Sequence, residues 1–217
     1  MPIFRARAWA AAACLVSTLQ GAAAQDVSMA ETLLFQTRHL DNVPAPATLR
    51  YRFHKEGSAE PGFDDQVLLM LSSSPPAATL QFLTGARQTV APAVDDPEGN
   101  PVLLGFLEHD IATMQRLTGG ASAYFRKRIR LALAASAQVN ARQFSYAGKT
   151  VDGREIVIAP YADDPMRARF APYVGKRYHF ILSPQVPGGV YQVRAVAGAP
   201  ALVDETLTLV DVDTGRH

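Results

Sequence analysis

Cysteine and tryptophan are almost absent from this sequence. Each occurs once among the 217 residues, as Cys14 and Trp9. Both lie within the first 24 positions, so residues 25–217 contain no thiol. This excludes disulfide bonds, thiolate nucleophiles and cysteine metal ligands from most of the chain. Stability must therefore come from apolar burial, for which a chain of this length is large enough.

Local motifs for catalysis, metals and cofactors are also lacking. There is no Gly-x-Ser-x-Gly turn, no phosphate-binding glycine loop and no His-Glu-x-x-His pair. The Asp-Asp pairs stand beside Gly or Pro or within polar segments, where aspartate commonly forms turns and helix caps. The histidines are dispersed along the chain, as His39, His54, His109, His179 and His217. We therefore expect no metal, no cofactor and no catalytic residues that a motif would reveal.

No sign of charge predominates, because 21 Lys and Arg stand against 20 Asp and Glu. A nearly neutral domain lacks the broad positive field that nucleic-acid binding requires. We therefore expect no nucleic-acid partner.

The first 24 residues have the pattern of a secretory signal peptide. Arg5 and Arg7 precede an apolar stretch over residues 8–19, and the small residues Ala22-Ala23-Ala24 follow. The apolar stretch is too short to span a membrane. We expect cleavage after Ala24, export to the periplasm, and a single domain over residues 25–217. Without Arg5 and Arg7, 19 basic residues remain against 20 acidic ones, so the net charge of that domain is −1.

The N-terminal half of this domain combines one helix with several strands. Ser28 and Glu31 form a capping-box pattern that predicts a helix over residues 28–40, ended by Pro44. Residues 49–54 alternate between apolar and basic or polar side chains, which predicts a half-buried strand. Further strands are predicted over residues 66–71 and 79–83, with a weaker one over 88–90.

Two helices are predicted in the middle of the chain. Asn100-Pro101 is a helix start and Gly119-Gly120 a stop. Apolar residues from Leu103 and Leu104 onward are assigned to one buried side of this helix. A second helix over residues 122–138 follows the short glycine connection, so the two should form a helical hairpin.

The C-terminal third is predicted to form antiparallel strands. Asp152-Gly153 is a typical two-residue hairpin turn, here expected to join strands over residues 142–151 and 154–159. Three further strands are expected over residues 177–183, 190–197 and 202–210. The order predicts an α+β fold in which a large curved antiparallel sheet carries an N-terminal helix and a central helical hairpin.

This order of elements, together with size and export, resembles the periplasmic lipoprotein-carrier family, which localises outer-membrane lipoproteins. The resemblance implies a strongly curved antiparallel sheet that wraps around helices and leaves an apolar cavity. It involves element order rather than any residue motif, so it assigns no individual residue a role.

Asp110 is the most unusual residue of the predicted helices. Its position on the helical wheel lies between Leu103 and Leu117, inside the apolar arc, where an ionised carboxylate needs a partner. Arg126 or Arg130 on the next helix is the expected partner. Asp110 is then either a perturbed acid in a ligand cavity or a structural bridge that locks the helical hairpin.

A basic surface is predicted on the second helix at Arg126, Lys127 and Arg130. Such a surface could make peripheral contact with anionic lipid or an acidic envelope protein, or it could simply be solvated.

The alternating strands suggest where an apolar ligand would bind. Leu49, Tyr51 and Phe53 share one side of their strand, as do Tyr178 and Phe180 of theirs. We expect them to line a cavity between sheet and helices, with core packing as the other possibility. Arg50, Arg52 or the basic helix would then steer an acidic group of the ligand.

The leading hypothesis is a non-enzymatic exported protein that binds an apolar or amphipathic ligand, such as a lipid or an acylated peptide. A second hypothesis is an envelope scaffold that holds a protein partner through a sheet edge or the helical hairpin. A third is a hydrolase whose acid–base groups, Asp110 with His109 or His179, meet only in the folded chain.

Overall fold

The computed structural model describes residues 27–215, which form one antiparallel sheet and three α-helices. The predicted signal peptide and His217 lie outside these residues. The helices are α1 (Met29–Glu31), α2 (Pro101–Thr118) and α3 (Ser122–Ala135). The ten strands are β1 (Ala47–Glu56), β2 (Phe63–Ser73), β3 (Pro76–Phe82), β4 (Thr89–Val90), β5 (Val94–Asp95), β6 (Gln138–Tyr146), β7 (Lys149–Ile158), β8 (Arg177–Leu182), β9 (Val190–Ala197) and β10 (Val203–Asp213).

The strands run in the order β4-β3-β2-β1-β10-β9-β8-β7-β6, and β5 also pairs with β3. The two series β1–β3 and β6–β10 meet where β1 pairs with β10 in the middle of the sheet. Every pairing is antiparallel, as expected for strands joined by hairpins. The predicted α+β class with a large antiparallel sheet is thus confirmed.

The alternation of β1 positions the core. Leu49, Tyr51 and Phe53 are fully buried, whereas Arg50 and Arg52 are exposed on the opposite side. The helices cover the buried side: α2 contacts β3 and β9, α3 contacts β7, and α1 contacts α3 and β6. Most of the apolar core therefore lies between the sheet and α2–α3.

Helix α2 begins and ends where the sequence indicates. The Asn100 side chain accepts a hydrogen bond from the backbone N–H of Val102 (3.0 Å), and Pro101 occupies the first helical position. Gly119 ends the helix in the left-handed conformation (φ 69°), which glycine adopts without strain. Helix α3 ends at Ala135, earlier than predicted, because residues from Gln138 onward pair with β7 instead.

The N-terminal helix is shorter and less regular than predicted. Its capping box is present, with reciprocal bonds between Ser28 and Glu31. After the three residues of α1 the chain forms a π-helical turn over Thr32–Gln36, in which the Thr37 N–H bonds to the Thr32 carbonyl. A 3₁₀ turn over His39–Asn42 follows. The prediction of one continuous helix over residues 28–40 is therefore wrong.

The predicted turn at Asp152-Gly153 is also wrong. These residues lie inside β7, opposite Gln143 and Arg142, and the hairpin turns at Ala147-Gly148 with φ values of 49° and 76°. Gly153 serves packing instead. A Cβ at this position would lie 2.4 Å from the Leu182 carbonyl oxygen.

The β6–β7 hairpin bends across the sheet. Phe144 of β6 stacks on Tyr191 of β9 with ring centres 4.5 Å apart, although β7 and β8 separate these strands in the sheet order. Adjacent strands are roughly 4.8 Å apart, so a flat sheet would not allow this contact.

Within residues 27–215, none of the helices is long and apolar enough to cross a membrane.

Candidate functional site

The residues predicted to line a ligand cavity form part of the packed core. Leu49, Tyr51, Phe53, Tyr178 and Phe180 each have 0% exposure. Tyr51 receives a hydrogen bond from Asn100 Nδ2 (3.1 Å), and burial raises its pKa above the ordinary value. None of the five lines the apolar surface cavity between α2 and β3 or the one between residues 33–42 and the β8–β9 loop. Their direct contact with a ligand stays a prediction.

Asp110 is fully buried, as its position on α2 predicts, but its partner is different. Its carboxylate pairs with Lys176, which is also fully buried, and accepts a 2.5 Å hydrogen bond from Tyr178 Oη. Burial first, and then the Asp110 charge, raise the pKa of Tyr178 well above the ordinary value. The prediction of Arg126 or Arg130 as partner is wrong, because Asp110 points toward the sheet rather than toward α3. The pair therefore joins α2 to the start of β8.

The predicted basic surface is divided in the structure. Arg126 forms a two-pronged pair with Glu108 on α2, at 2.8 Å and 2.6 Å. Lys127 and Arg130 are exposed and form no ion pair with a described residue. Tyr124, on the same helix, donates a hydrogen bond to Asp164 and packs against Phe170.

An apolar cavity lies between α2 and the edge of the sheet. We call it the α2 groove, and its volume is about 470 Å³. Its floor is formed by Leu80 and Phe82 of β3, one wall by residues 89–94 and the other by α2. The residues that line it are Leu80, Phe82, Thr89, Val90, Ala91, Val94, Pro101, Leu104, Gly105, Glu108, His109 and Ala112.

Large apolar side chains are exposed around this groove. Val90, Val94 and Leu104 are 55%, 46% and 56% exposed. The assignment of Leu104 to the buried side of α2 is thus wrong. The short pairings of β4 and β5 with β3 hold residues 89–94 at the groove without covering it. Gly105 lets α2 approach β3, because a Cβ there would lie 2.4 Å from Leu80 Cδ2.

His109 forms the inner end of the α2 groove. Its ring lies against Phe53 (5.3 Å) and Phe82 (5.0 Å), and its Nε2 is buried without a hydrogen-bond partner among the described residues. Burial lowers the pKa of His109 from its ordinary value, opposed chiefly by the charge of Glu205. Glu205 Oε2 lies 3.9 Å from His109 Nε2.

Glu205 is a fully buried carboxylate with incomplete partners. Its Oε1 lies 2.8 Å from Lys55 Nζ, close enough for an ion pair but poorly aligned for a hydrogen bond, and its Oε2 has no donor within residues 27–215. Lys55 also contacts Glu60 Oε2 at 2.8 Å, and Arg116 pairs with Glu60. Charged side chains therefore gather directly behind His109.

A second apolar cavity, of about 310 Å³, lies between residues 33–42 and the β8–β9 loop. We call it the loop cavity. His39, Asp41 and Ser183 all line it, which is the residue set of a hydrolytic triad. Their contacts do not form a relay, however. Ser183 Oγ donates to the Asp152 carbonyl (2.6 Å), and His39 Nδ1 accepts from the Asn100 N–H (3.2 Å).

The acid–base groups named for the hydrolase hypothesis do not meet either. Asp110 is enclosed by Lys176 and Tyr178, whereas His109 faces Glu205 and two phenylalanine rings. His179 Nδ1 lies 3.1 Å from Glu155 Oε1 on another part of the sheet. Over residues 27–215 there is also no group of three His, Cys, Asp or Glu residues arranged to hold a metal ion.

The sequence contains one signal for the α2 groove that the helical-wheel reasoning missed. Leu103 and Leu104 are adjacent, and successive helical residues are about 100° apart, so both cannot face the centre of one core. Val90 and Val94 carry no comparable signal, because their exposure follows from the short β4 and β5 pairings.

Comparison with known proteins shows a weak resemblance of fold. The lipoprotein LppX of Mycobacterium tuberculosis aligns with a TM-score of 0.34 and 10% identity, over 78% of this chain and 88% of that one. A LolA superfamily protein of Nitrosomonas europaea aligns with a TM-score of 0.27 and 10% identity, over 87% and 94%. No family model and no curated protein matches the sequence. Function must therefore be argued from the residues of this chain.

Proposed function

We propose that this chain is an exported, non-enzymatic protein that binds an apolar or amphipathic ligand in the α2 groove. The observation that carries this proposal is the group of exposed apolar residues, Val90, Val94 and Leu104, around an apolar cavity of about 470 Å³. Apolar side chains exposed singly need no explanation, but a concave cluster of them is typical of a binding site.

Ligand burial in the groove would be favourable because its walls are apolar. Removing one methylene from water contributes about 0.8 kcal/mol, so an acyl chain gains affinity with each carbon that the groove covers. The predicted residue Phe53 would support this site from behind, through its contacts with Phe82 and His109.

The test is binding of dodecanoate to a variant with an altered groove wall. Leu104→Asp places a carboxylate against the acyl chain. At about 1–3 kcal/mol for an unpaired polar group, it should weaken binding roughly 5- to 150-fold. Gln115→Asp is the matched control, because Gln115 is exposed on the same helix but does not line the groove. Equal weakening by both variants, or by neither, would refute the groove as the site.

Export is a separate part of the proposal, since it depends on residues 1–24. Expression of the full chain in a Gram-negative host should give a periplasmic product whose N-terminal residue is Gln25. A product retained in the cytoplasm with residues 1–24 intact would refute it. Mass spectrometry of the natively purified product should also reveal bound lipid.

The scaffold hypothesis is favoured by one specific observation. Strand β6 pairs only with β7, so the outer backbone edge of its nine residues has no strand partner among the described residues. Such an edge can accept a strand from another protein. Gln143→Pro should abolish capture of an envelope partner by this edge while leaving dodecanoate binding unchanged.

A further inference from the structure

The α2 groove lies next to a second cavity of different character. This cavity, which we call the polar recess, has a volume of about 360 Å³, and His109 lines both cavities. On the groove side the histidine ring meets Phe82, and on the recess side lie Lys55, Glu60 and Arg116. One side chain thus separates an apolar compartment from a charged one.

The recess contains more positive than negative charge. Lys55, Arg87 and Arg116 line it, against the single carboxylate of Glu60. The Arg87 guanidinium lies 4.2 Å over the Phe63 ring, and among the described residues it forms no ion pair. An arginine stacked on an aromatic ring keeps its N–H groups directed outward, where they can bind a carboxylate or phosphate.

Lys55 forms the buried floor of the recess. Its side chain is only 6% exposed, and its Nζ lies 2.8 Å from both Glu60 Oε2 and Glu205 Oε1. Lys55 lies between two carboxylates and Arg116 pairs with Glu60, so the three cations exceed Glu60 and Glu205 by one positive charge. Arg87 is the lining cation that forms no ion pair with a described residue. Arg116 is 56% exposed and shares Glu60 with Lys55, which leaves N–H groups available to an incoming anion.

Given that the α2 groove binds an acyl chain, as proposed above, we propose that the polar recess binds an anionic head group of the same ligand. The ligand class is then an acyl chain that ends in a carboxylate or phosphate. The chain lies against Leu80, Phe82 and Leu104, and the head group lies beyond His109 against Arg87 and Arg116. A cationic head group would face the same two arginines and be repelled.

The test compares three probes with equal chain length and different head groups: decanoate, decanol and decyltrimethylammonium, each below its micelle concentration. The full mature chain should bind decanoate about tenfold more tightly than decanol, and decyltrimethylammonium most weakly. Each exposed charge contact contributes at most a fewfold effect, so both arginines together would account for the tenfold preference. The double variant Arg87→Gln/Arg116→Gln should therefore lose it. Its decanol affinity should not change, which also shows that it is folded.

Arg177→Gln is the control for a general loss of positive charge, since Arg177 is exposed at the start of β8 and lines neither cavity. Inorganic phosphate alone should compete only weakly with decanoate, because a head-group site needs the acyl chain for affinity. Tight binding of phosphate without a chain would indicate a site for the free anion and would overturn the proposal. Equal affinity for all three probes would overturn the anionic recess while leaving the groove intact. No binding of any probe would overturn the proposed function itself.

Discussion

The buried pair of Asp110 and Lys176 provides a sharp test of how this fold is stabilised. Both side chains have 0% exposure, and Tyr178 Oη donates to the second carboxylate oxygen at 2.5 Å. Asp110→Asn keeps the shape of the side chain but removes its charge, so Lys176 becomes a buried cation without a counterion. Removing one member of a buried pair typically costs about 3–5 kcal/mol.

The magnitude can be measured by urea unfolding monitored by circular dichroism. With a urea dependence of about 2 kcal/mol per molar, that loss lowers the unfolding midpoint by roughly 1.5–2.5 M. Tyr178→Phe removes only a hydroxyl that bonds a charged group, and should cost about 1.5–3 kcal/mol. The double variant Asp110→Leu/Lys176→Met removes both charges and should recover most of the stability that Asp110→Asn loses.

The reasoning is refuted if Asp110→Asn changes the midpoint by less than about 0.3 M, since such a small effect excludes an uncompensated buried charge. Decanoate binding provides a second readout. The pair does not line the α2 groove, so the folded fraction of Asp110→Asn should bind with unchanged affinity. A loss of affinity without a loss of stability would instead support Asp110 as a ligand-binding residue.

Three further predictions concern local packing and pH. Gly153→Ala should destabilise the fold by about 1–3 kcal/mol, because its Cβ would meet the Leu182 carbonyl oxygen, whereas Gly175→Ala has open space and should be neutral in the same urea titration. Ser28→Ala removes the cap of α1 and should cost about 1 kcal/mol, measured in the same way. Burial lowers the pKa of His39 below the ordinary value of 6.5, so the unfolded chain takes up a proton there more readily than the folded one and stability declines as the pH falls below 6.5. His39→Gln should therefore flatten the loss of stability between pH 7.5 and 5.5. An unchanged slope would contradict a lowered pKa of His39.

The elements best predicted from sequence are those with local physical causes. The caps of α2 depend on Asn100, Pro101 and Gly119. Each of these residues affects backbone groups no more than one helical turn away. The alternation of β1 likewise follows from a period of two along a single strand. Such features require no knowledge of what packs beside them, so the sequence alone predicts them.

The errors lie where pairing with another strand or another element decided the structure. Asp152-Gly153 has strong local turn chemistry, but pairing of β7 with β6 over Gln143 and Arg142 prevails, and the turn moves to Ala147-Gly148. Asp110 was correctly expected to be buried and paired, yet its partner lies 66 residues further along the chain. A helical wheel shows which residues share a face of one helix, so it cannot reveal a lysine that precedes a strand.

The α2 groove was not predicted for the same reason. The predicted aromatics of β1 and β8 became the centre of the core, because α2 and α3 cover that side of the sheet. The groove formed at the edge instead, where β4 and β5 are too short to complete the cover over β3. Strand length at a sheet edge depends on tertiary pairing and is difficult to predict from local patterns.

The most direct test of the α2 groove is photo-crosslinking of residues 25–217 with a fatty acid that carries a diazirine near its methyl end, followed by peptide mapping. We expect labelling within residues 80–94 and 101–112, and competition by unmodified dodecanoate. Labelling within residues 33–42 and 182–189 would place the ligand in the loop cavity. Labelling distributed over the whole surface, or none that dodecanoate displaces, would contradict a specific apolar site altogether.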